Sequence, residues 1–316
     1  MSNIEKRQIG TSGLSVAPLA LGGNVLGWTA DEATSFFILD AFVDAGGTMI
    51  DSADVYSAWA PGHVGGESET VIGTWLKRDP AKRNKVIIAT KVGFMAGLAP
   101  DTIATTCEAS LKRLGVETID LYYQHQDDEK VPLADSLGAF EALRAAGKIH
   151  SIGLSNFSAA RVEEALDTAV QAGIEPAVAV QGWYNLVERG KYEGELQDVV
   201  TGRGLAFFPY YSLANGFLTG KYRSEDDLGK SVRGGRNREY VDSVKGNAVL
   251  AALDEVAAET GASLATVALA WTKMQGGVTA PIASATSMAQ AKELIAALTF
   301  DLSPGQIEAL DRASEA

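Results

Sequence analysis

The chain has one cysteine, Cys107, in 316 residues. A lone thiol excludes an internal disulfide framework, which fits a reducing compartment. It falls in the helical run DTIATTCEASLKRL, where it reads as a buried small hydrophobe rather than a nucleophile. Basic residues are scarce as well: 27 Lys and Arg against 40 Asp and Glu leave a formal charge of -13, with a sequence pI near 4.8. That balance argues against a nucleic-acid partner and offers no basic face to an anionic membrane surface. No apolar run reaches the roughly 18 residues that a membrane span needs, and the opening MSNIEKRQIG has no apolar core of the kind a secretory leader carries. A cytoplasmic protein is expected.

Other absences narrow the chemistry. After the first apolar run stands GGNVLG, without the G-x-G-x-x-G spacing that opens a doubly wound dinucleotide-binding sheet. There is no metal-ligand spacing and no serine or cysteine nucleophile with its base, so no metal site is expected and hydrolysis has little support. No linker or low-complexity tract divides the chain. One domain over residues 1–316 is expected, since α/β barrels commonly exceed about 250 residues as a single unit.

What is present is alternation. Short apolar, β-branched runs at 17–22, 48–50, 86–90, 119–123, 151–154, 177–180, 205–210 and 278–282 read as strands. Helix-like segments lie at 31–45, 67–78, 101–114, 133–146, 158–172, 190–203, 263–276 and 287–297, with Asp101, Ser158 and Ser263 as capping residues and Gly147 as a stop. Eight strands alternating with helices predict parallel βαβ units closed into a (β/α)8 TIM barrel of the α/β class. A hairpin around Thr11-Ser12-Gly13 precedes it, and an extra helix in SPGQIEALDRASEA follows it. The stretch 221–246, rich in charge and glycine after the seventh strand, reads as a binding loop or lid, or else a solvated connection.

In a parallel barrel the carboxyl ends of the strands share one face. Asp51 and Tyr56 follow TMI, Lys91 follows VIIAT and His125 follows IDLYYQ, so three strands would deliver an acid, a phenol, an ammonium and an imidazole to one pocket. A phenol with an ordinary pKa near 10 is a poor proton donor at neutral pH unless a cation stabilises the phenolate. Lys91 supplies that cation, Asp51 orients it, and His125 positions a carbonyl oxygen.

The segments TMIDSADVYS, GGESETVIGTWLK, VIIATKVG, SLKRLGVETIDLYYQHQDD, GKIHSIGLSNFS and FFPYYSLANGFLTGKY, in that order, resemble an aldo-keto reductase over nearly the whole length. The resemblance implies a reversible NAD(P)H-dependent oxidoreductase that reduces an aldehyde or ketone to an alcohol, with hydride from nicotinamide C4 and the proton from Tyr56. It implies Asp51, Tyr56, Lys91 and His125 as the catalytic tetrad. Ser155, Asn156 and Gln181 would hold the nicotinamide carboxamide, and Tyr210 would stack on its ring. Leu213 and Gly216 would present backbone amides to the pyrophosphate, with Lys221 and Arg233 adding positive charge. Here the chain reads Tyr210-Tyr211-Ser212-Leu213 where many relatives read Tyr-Ser-Pro-Leu.

At the adenosine end, Ser284, Thr286 and Gln290 lie where a strand runs into a helix start, a natural phosphate site. Many relatives have arginine where this chain has Thr286 and asparagine where it has Leu294; others have a hydroxyl residue there, with Gln290 and Glu293 in matching places. NADP is expected in preference to NAD. Asn24, Trp28 and Trp59 are the substrate-pocket candidates, with Trp183 either beside them or under the cofactor, and favour an apolar or ring-shaped carbonyl or alcohol. A second reading is a redox-sensing regulatory subunit with slow turnover, as the potassium-channel β subunits of the superfamily are. The absence of an extended arm before the hairpin favours an enzyme. Oligomeric state is not legible.

Overall fold

The computed structural model describes residues 4–315. It opens with a two-stranded antiparallel hairpin, β1 (Arg7–Gln8) and β2 (Ser15–Val16). The chain then alternates: β3 (Ala20–Gly22), α1 (Glu32–Asp44), β4 (Met49–Asp51), α2 (Glu67–Arg78), β5 (Ile87–Val92) and α3 (Pro100–Leu114). There follow β6 (Ile119–Gln124), α4 (Leu133–Ala145), β7 (Ile149–Ser155), α5 (Ala159–Ala172), β8 (Ala179–Trp183), α6 (Glu195–Gly202) and β9 (Ala206–Tyr210). The last elements are α7 (Val244–Thr260), α8 (Leu264–Lys273), β10 (Ile282–Ala283), α9 (Met288–Ala296) and α10 (Pro304–Glu315).

Strands β3 to β10 form one parallel sheet in the order β10-β3-β4-β5-β6-β7-β8-β9. A parallel bridge between Phe207 and Val278, with Thr279 N donating to Phe207 O at 2.8 Å, brings the two edges together and leaves a nearly closed (β/α)8 barrel. No helix among the described residues is long and apolar enough to cross a membrane.

The two-residue period of a strand sorts its side chains into two cores. Met49, Ile87, Ala89, Leu121, Tyr123, Ala179, Ala206 and Phe208 fill the barrel interior, and Ile9 and Val16 of the hairpin pack into the same cluster from below. The intervening residues, Ile50, Ile88, Tyr122, Val180 and Phe207, pack against the helices. One interior position demands glycine: a Cβ on Gly153 would lie 2.4 Å from the Tyr123 ring, which occupies that space. Carrying the same alternation one step further along each strand puts Asp51, Lys91, Gln181 and Tyr210 in the top interior layer, where the barrel opens.

Several expected boundaries move. Asp51, Lys91, Ser155 and Gln181 belong to their strands rather than following them. The eighth strand is reduced to β10, with 278–281 joined to the barrel by the bridge at Val278 and by single hydrogen bonds such as Ala20 N to Pro281 O at 2.9 Å. The helix expected at 190–203 is α6 alone, preceded by a 3-10 turn at Arg189–Lys191. Ser158 and Ser263 do cap α5 and α8 through their hydroxyls, whereas α3 starts on Pro100, so Asp101 lies inside the first turn and is no cap. Ala316, the last residue of the expected final helix, lies outside the described residues.

Helix α7 was not expected. Ser243 accepts from Gly246 N to start it, and it packs against α10. A strict one-helix-per-strand alternation has no place for it. The stretch before it is not a bare solvated loop: 3-10 turns at Ala214–Thr219, Glu225–Lys230 and Gly234–Asn237 fold it, with Tyr222, Leu228 and Asn237 buried.

Candidate active site

At the mouth, Lys91 is fully buried and its Nζ donates to Asp51 Oδ2, Ser52 O and Tyr56 Oη, each at 2.7 Å. All three ammonium hydrogens are thereby spent. Tyr56 Oη also lies 3.2 Å from Asp51 Oδ2, and the Lys91 charge sits 4.6 Å from the Tyr56 ring centroid. Gln181, from the far side of the barrel, donates Nε2 to Asp51 Oδ1 at 2.9 Å. Both carboxylate oxygens are thus satisfied, as burial of a charge requires.

His125 is 8 % exposed, with its ring 6.1 Å from that of Tyr56 and 4.9 Å from Phe94. Its buried Nδ1 has no partner among the described residues. Burial, and then the Lys91 charge, hold its pKa well below the usual imidazole range, so it is neutral at pH 7. Burial also lowers the Lys91 pKa, against the pull of Asp51.

Tyr56 departs from the sequence expectation. Burial first, and then Asp51, push its hydroxyl well above the ordinary phenol value, rather than Lys91 lowering it. The phenol therefore keeps its proton at neutral pH. A donor that is reliably loaded still transfers downhill to an alkoxide, which is a much stronger base than a phenolate. The ammonium 2.7 Å away is placed where it can stabilise a phenolate.

The residues expected around a nicotinamide lie beside these four. Ser155 ends β7, and Asn156 follows it in the left-handed region at φ 59°. Asn156 Nδ2 donates to His125 O at 2.8 Å, and its Oδ1 accepts from Tyr210 Oη at 2.6 Å. Burial raises the Tyr210 hydroxyl to about 12. The Trp183 ring lies on this side, tilted at 6.4 Å from Tyr210 and edge-on at 5.0 Å from Tyr211.

On the opposite rim a chain of contacts runs from the tetrad to β10. The Trp59 ring lies 6.0 Å from Tyr56 and 5.7 Å from Trp28, and the Arg233 guanidinium sits 5.2 Å over Trp28. Arg233 Nη2 reaches Asn24 O at 3.4 Å, and Asn24 Oδ1 accepts from Ser284 Oγ at 2.7 Å. The segment after β9 thus arches across the mouth to the loop after β3.

Thr286 and Gln290 are brought together but turned on each other: Thr286 N and Oγ1 donate to Gln290 Oε1 at 2.8 and 3.0 Å. Gly216, at φ 91°, differs from its expected part, because its N–H is spent on Leu213 O at 2.8 Å. Its missing side chain makes room for Lys221 instead, whose Nζ would lie 2.9 Å from a Cβ there.

The site's fit to an anionic dinucleotide shows in its unpaired cations. Lys230, Arg223 and Arg238 of the same segment have carboxylate partners, whereas Lys221, Arg233 and Arg236 have none among the described residues. Burial lowers the Arg233 pKa, the mark of a guanidinium held out of water without a counter-ion. In a chain of net charge -13, three unpaired cations on one segment suit a phosphate.

Sequence reasoning missed Phe94 beside His125, Arg236, whose Nη1 donates to Tyr211 Oη at 3.0 Å, and the buried pair Glu69–Arg113. The signal for the first two was position alone, in loops that follow strands.

A sequence model described as the Aldo/keto reductase family matches residues 18–315. The chain is 32 % identical over 311 residues to an uncharacterized oxidoreductase, YrpG, of Bacillus subtilis, covering 95 % of this chain and 92 % of that one. It is 31 % identical over 315 residues to the aldo-keto reductase str7 of Strobilurus tenacellus, covering 98 % and 89 %. Over 216 residues it is 37 % identical to the human aflatoxin B1 aldehyde reductase member 4, covering 68 % of this chain and 63 % of that one.

Proposed function

We propose, because this chain belongs to the aldo/keto reductase family and is thereby an oxidoreductase of carbonyl compounds, that it is an NADPH-preferring, cytoplasmic reductase of aldehydes or ketones working as one domain. The observation that carries the reading is the cluster at the barrel mouth of buried Asp51 and Lys91 with half-buried Tyr56, with neutral His125 facing it. The reduced nicotinamide, when bound, supplies hydride.

The chain's own residues do the rest. Tyr56 holds a proton at Oη and delivers it to the carbonyl oxygen as charge develops there. Lys91 offsets the phenolate, Asp51 fixes Lys91, and Gln181 fixes Asp51. His125, uncharged, orients the carbonyl oxygen without competing as an acid. In the reverse direction Tyr56 takes the proton back from an alcohol.

Ser155, Asn156 and Gln181 hold the carboxamide, and Tyr210 covers one face of the ring once its bond to Asn156 is exchanged for the cofactor. Lys221 and Arg233 answer the pyrophosphate, with Leu213 and Gly216 shaping the turn. Ser284, Thr286 and Gln290 receive the adenosine end. Asn24, Trp28 and Trp59 border the substrate, and the edge-to-face tryptophan pair favours an apolar, ring-bearing carbonyl.

The test is turnover. Purified protein mixed with NADPH and a panel of aromatic and aliphatic aldehydes should consume NADPH over many cycles, faster than with NADH. Tight NADPH binding without repeated turnover would instead favour a sensing role, and no binding at all would end the reading.

A further inference from the structure

The mouth of the barrel is ringed by contacts, and one arc of the ring has no part in the mechanism above. From Tyr56 the ring runs through Trp59 at 6.0 Å and Trp28 at 5.7 Å to the Arg233 guanidinium, 5.2 Å over Trp28. Arg236 follows on the same strap, and its Nη1 donates to Tyr211 Oη at 3.0 Å. The Tyr211 ring lies edge-on at 5.0 Å from Trp183, which is 6.4 Å from Tyr210. Tyr210 Oη, Asn156 and the His125 carbonyl lead back to the His125 ring, 6.1 Å from Tyr56. Trp183, Tyr211 and Arg236 therefore border the same opening as the tetrad.

Tyr211 has φ 54°, a left-handed conformation that a bulky side chain adopts only at a cost. It is held there, because its carbonyl accepts from the fully buried Asn185 Nδ2 at 2.9 Å and from Ala214 N at 2.7 Å. Trp183 Nε1 is a covered donor with no acceptor among the described residues. The arc also carries two cations without a carboxylate among the described residues, although their neighbours Arg189 and Arg238 are paired with Glu193 and Glu225. Lys191 Nζ lies 5.8 Å from the Trp183 ring centroid, and Arg236 has the Tyr211 hydroxyl alone. The acids near Lys191 are engaged elsewhere: Glu188 accepts from Tyr240, and Glu193 from Tyr184 and Arg189. The strap itself is seated, since a Cβ on Gly234 would lie 1.9 Å from Leu228 O.

We infer that Trp183, Tyr211 and Arg236, with Lys191 beside them, form an anion subsite that takes the carboxylate of an acidic carbonyl substrate. This rests on the reading of the Tyr56 mouth as the place of carbonyl reduction, and it adds an acid group to the ring-bearing substrate proposed there. The Arg236 fork offers its remaining N–H groups to the carboxylate oxygens. Tyr211 Oη accepts from Arg236, so its own hydrogen is left to donate to the same anion. An acid entering between the two rings answers the Trp183 N–H, a donor that the chain leaves unsatisfied. Trp28 and Trp59, across the mouth, take the apolar body. Lys221 and Arg233 serve the pyrophosphate in the reading above, which leaves Arg236 for the substrate. A chain of net charge -13 repels an acid at long range, so an acidic substrate needs a local cation of this kind.

The test compares 4-carboxybenzaldehyde with its methyl ester, a neutral aldehyde of similar shape, as substrates of wild type, Arg236→Met, Tyr211→Phe and Tyr56→Phe at saturating NADPH. Wild type should favour the acid by about 10-fold in kcat/KM, and added salt should shrink that preference. Arg236→Met should lower the acid-to-ester ratio by about 10-fold and Tyr211→Phe by about threefold, through KM rather than kcat. A merely structural role would lower both substrates alike. Binding can be read without turnover: 4-methylbenzoate, titrated by tryptophan fluorescence, should bind Arg236→Met about 10-fold more weakly than wild type. A wild-type ratio near one, or a ratio that Arg236→Met leaves unchanged, overturns this inference and spares the tetrad when Tyr56→Phe is inactive on the ester. A loss of NADPH affinity in Arg236→Met with the ratio intact assigns the guanidinium to a cofactor phosphate and equally overturns it. Wild type that reduces neither aldehyde overturns both readings.

Discussion

Lys91 Nζ, fully buried, stands 2.7 Å from the Oη of half-buried Tyr56 at the barrel mouth. The two side chains come from different strand ends, and the contact requires β4 and β5 to be paired in register, Asp51 beside Ala89. That register is what brings the two sequence segments into one hydrogen-bonded cluster.

Removing the ammonium should be costly in two ways. Lys91→Met leaves the Asp51 carboxylate buried, with Gln181 as its remaining side-chain donor besides Tyr56, and should destabilise the fold by about 3 to 5 kcal/mol. Adding Asp51→Asn removes the stranded charge and should recover part of that loss, although activity stays absent. Denaturant unfolding of Lys91→Met, Asp51→Asn and the double variant checks the non-additivity. Purely additive losses would show that the pair is not coupled.

His125 makes stability fall as the medium turns acidic. Its folded pKa lies well below the unfolded value near 6.5, so the unfolded chain binds the proton first as pH falls. Its contribution is full above about pH 6.5 and declines below it. Between pH 7 and pH 5 the wild type should lose up to about 2 kcal/mol that His125→Gln does not lose. Equal losses in the two proteins would place the imidazole in water.

Arg233 and Lys221 should act on binding rather than chemistry. Arg233→Met keeps an unbranched apolar side chain but removes the guanidinium that lies over Trp28, and should weaken NADPH binding by about 10-fold with single-turnover rate nearly unchanged. The loss should shrink as salt is added, because it is largely electrostatic. Fluorescence titration with NADPH reads it. Unaltered affinity would move Arg233 to the substrate side of the mouth.

How much of this was legible beforehand follows from the physics of each feature. The barrel was, because strand and helix signals alternate in order and side-chain parity along Ile87, Ala89 and Lys91 is a local property. The gathering of Asp51, Tyr56, Lys91 and His125 at one mouth was legible for the same reason, as each lies at or near the end of a strand-like run. Contacts between distant segments were not: Gln181 reaches Asp51 across 130 residues, and the Glu69–Arg113 pair forms because α2 packs on α3. Helix α7 escaped because two helices, α7 and α8, lie between β9 and β10 where the alternation provides for one. The raised Tyr56 pKa escaped because depth of burial, not the identity of its neighbour, dominates it.

The assignment of Tyr56 is tested most directly by Tyr56→Phe, which deletes one hydroxyl and leaves the ring packed against Trp59 and under Lys91. The measurement is single-turnover aldehyde reduction at saturating NADPH, with NADPH affinity taken on the same sample. The rate should fall by at least about 10²-fold while affinity stays within about twofold. A variant that reduces the aldehyde at the wild-type rate would contradict the account.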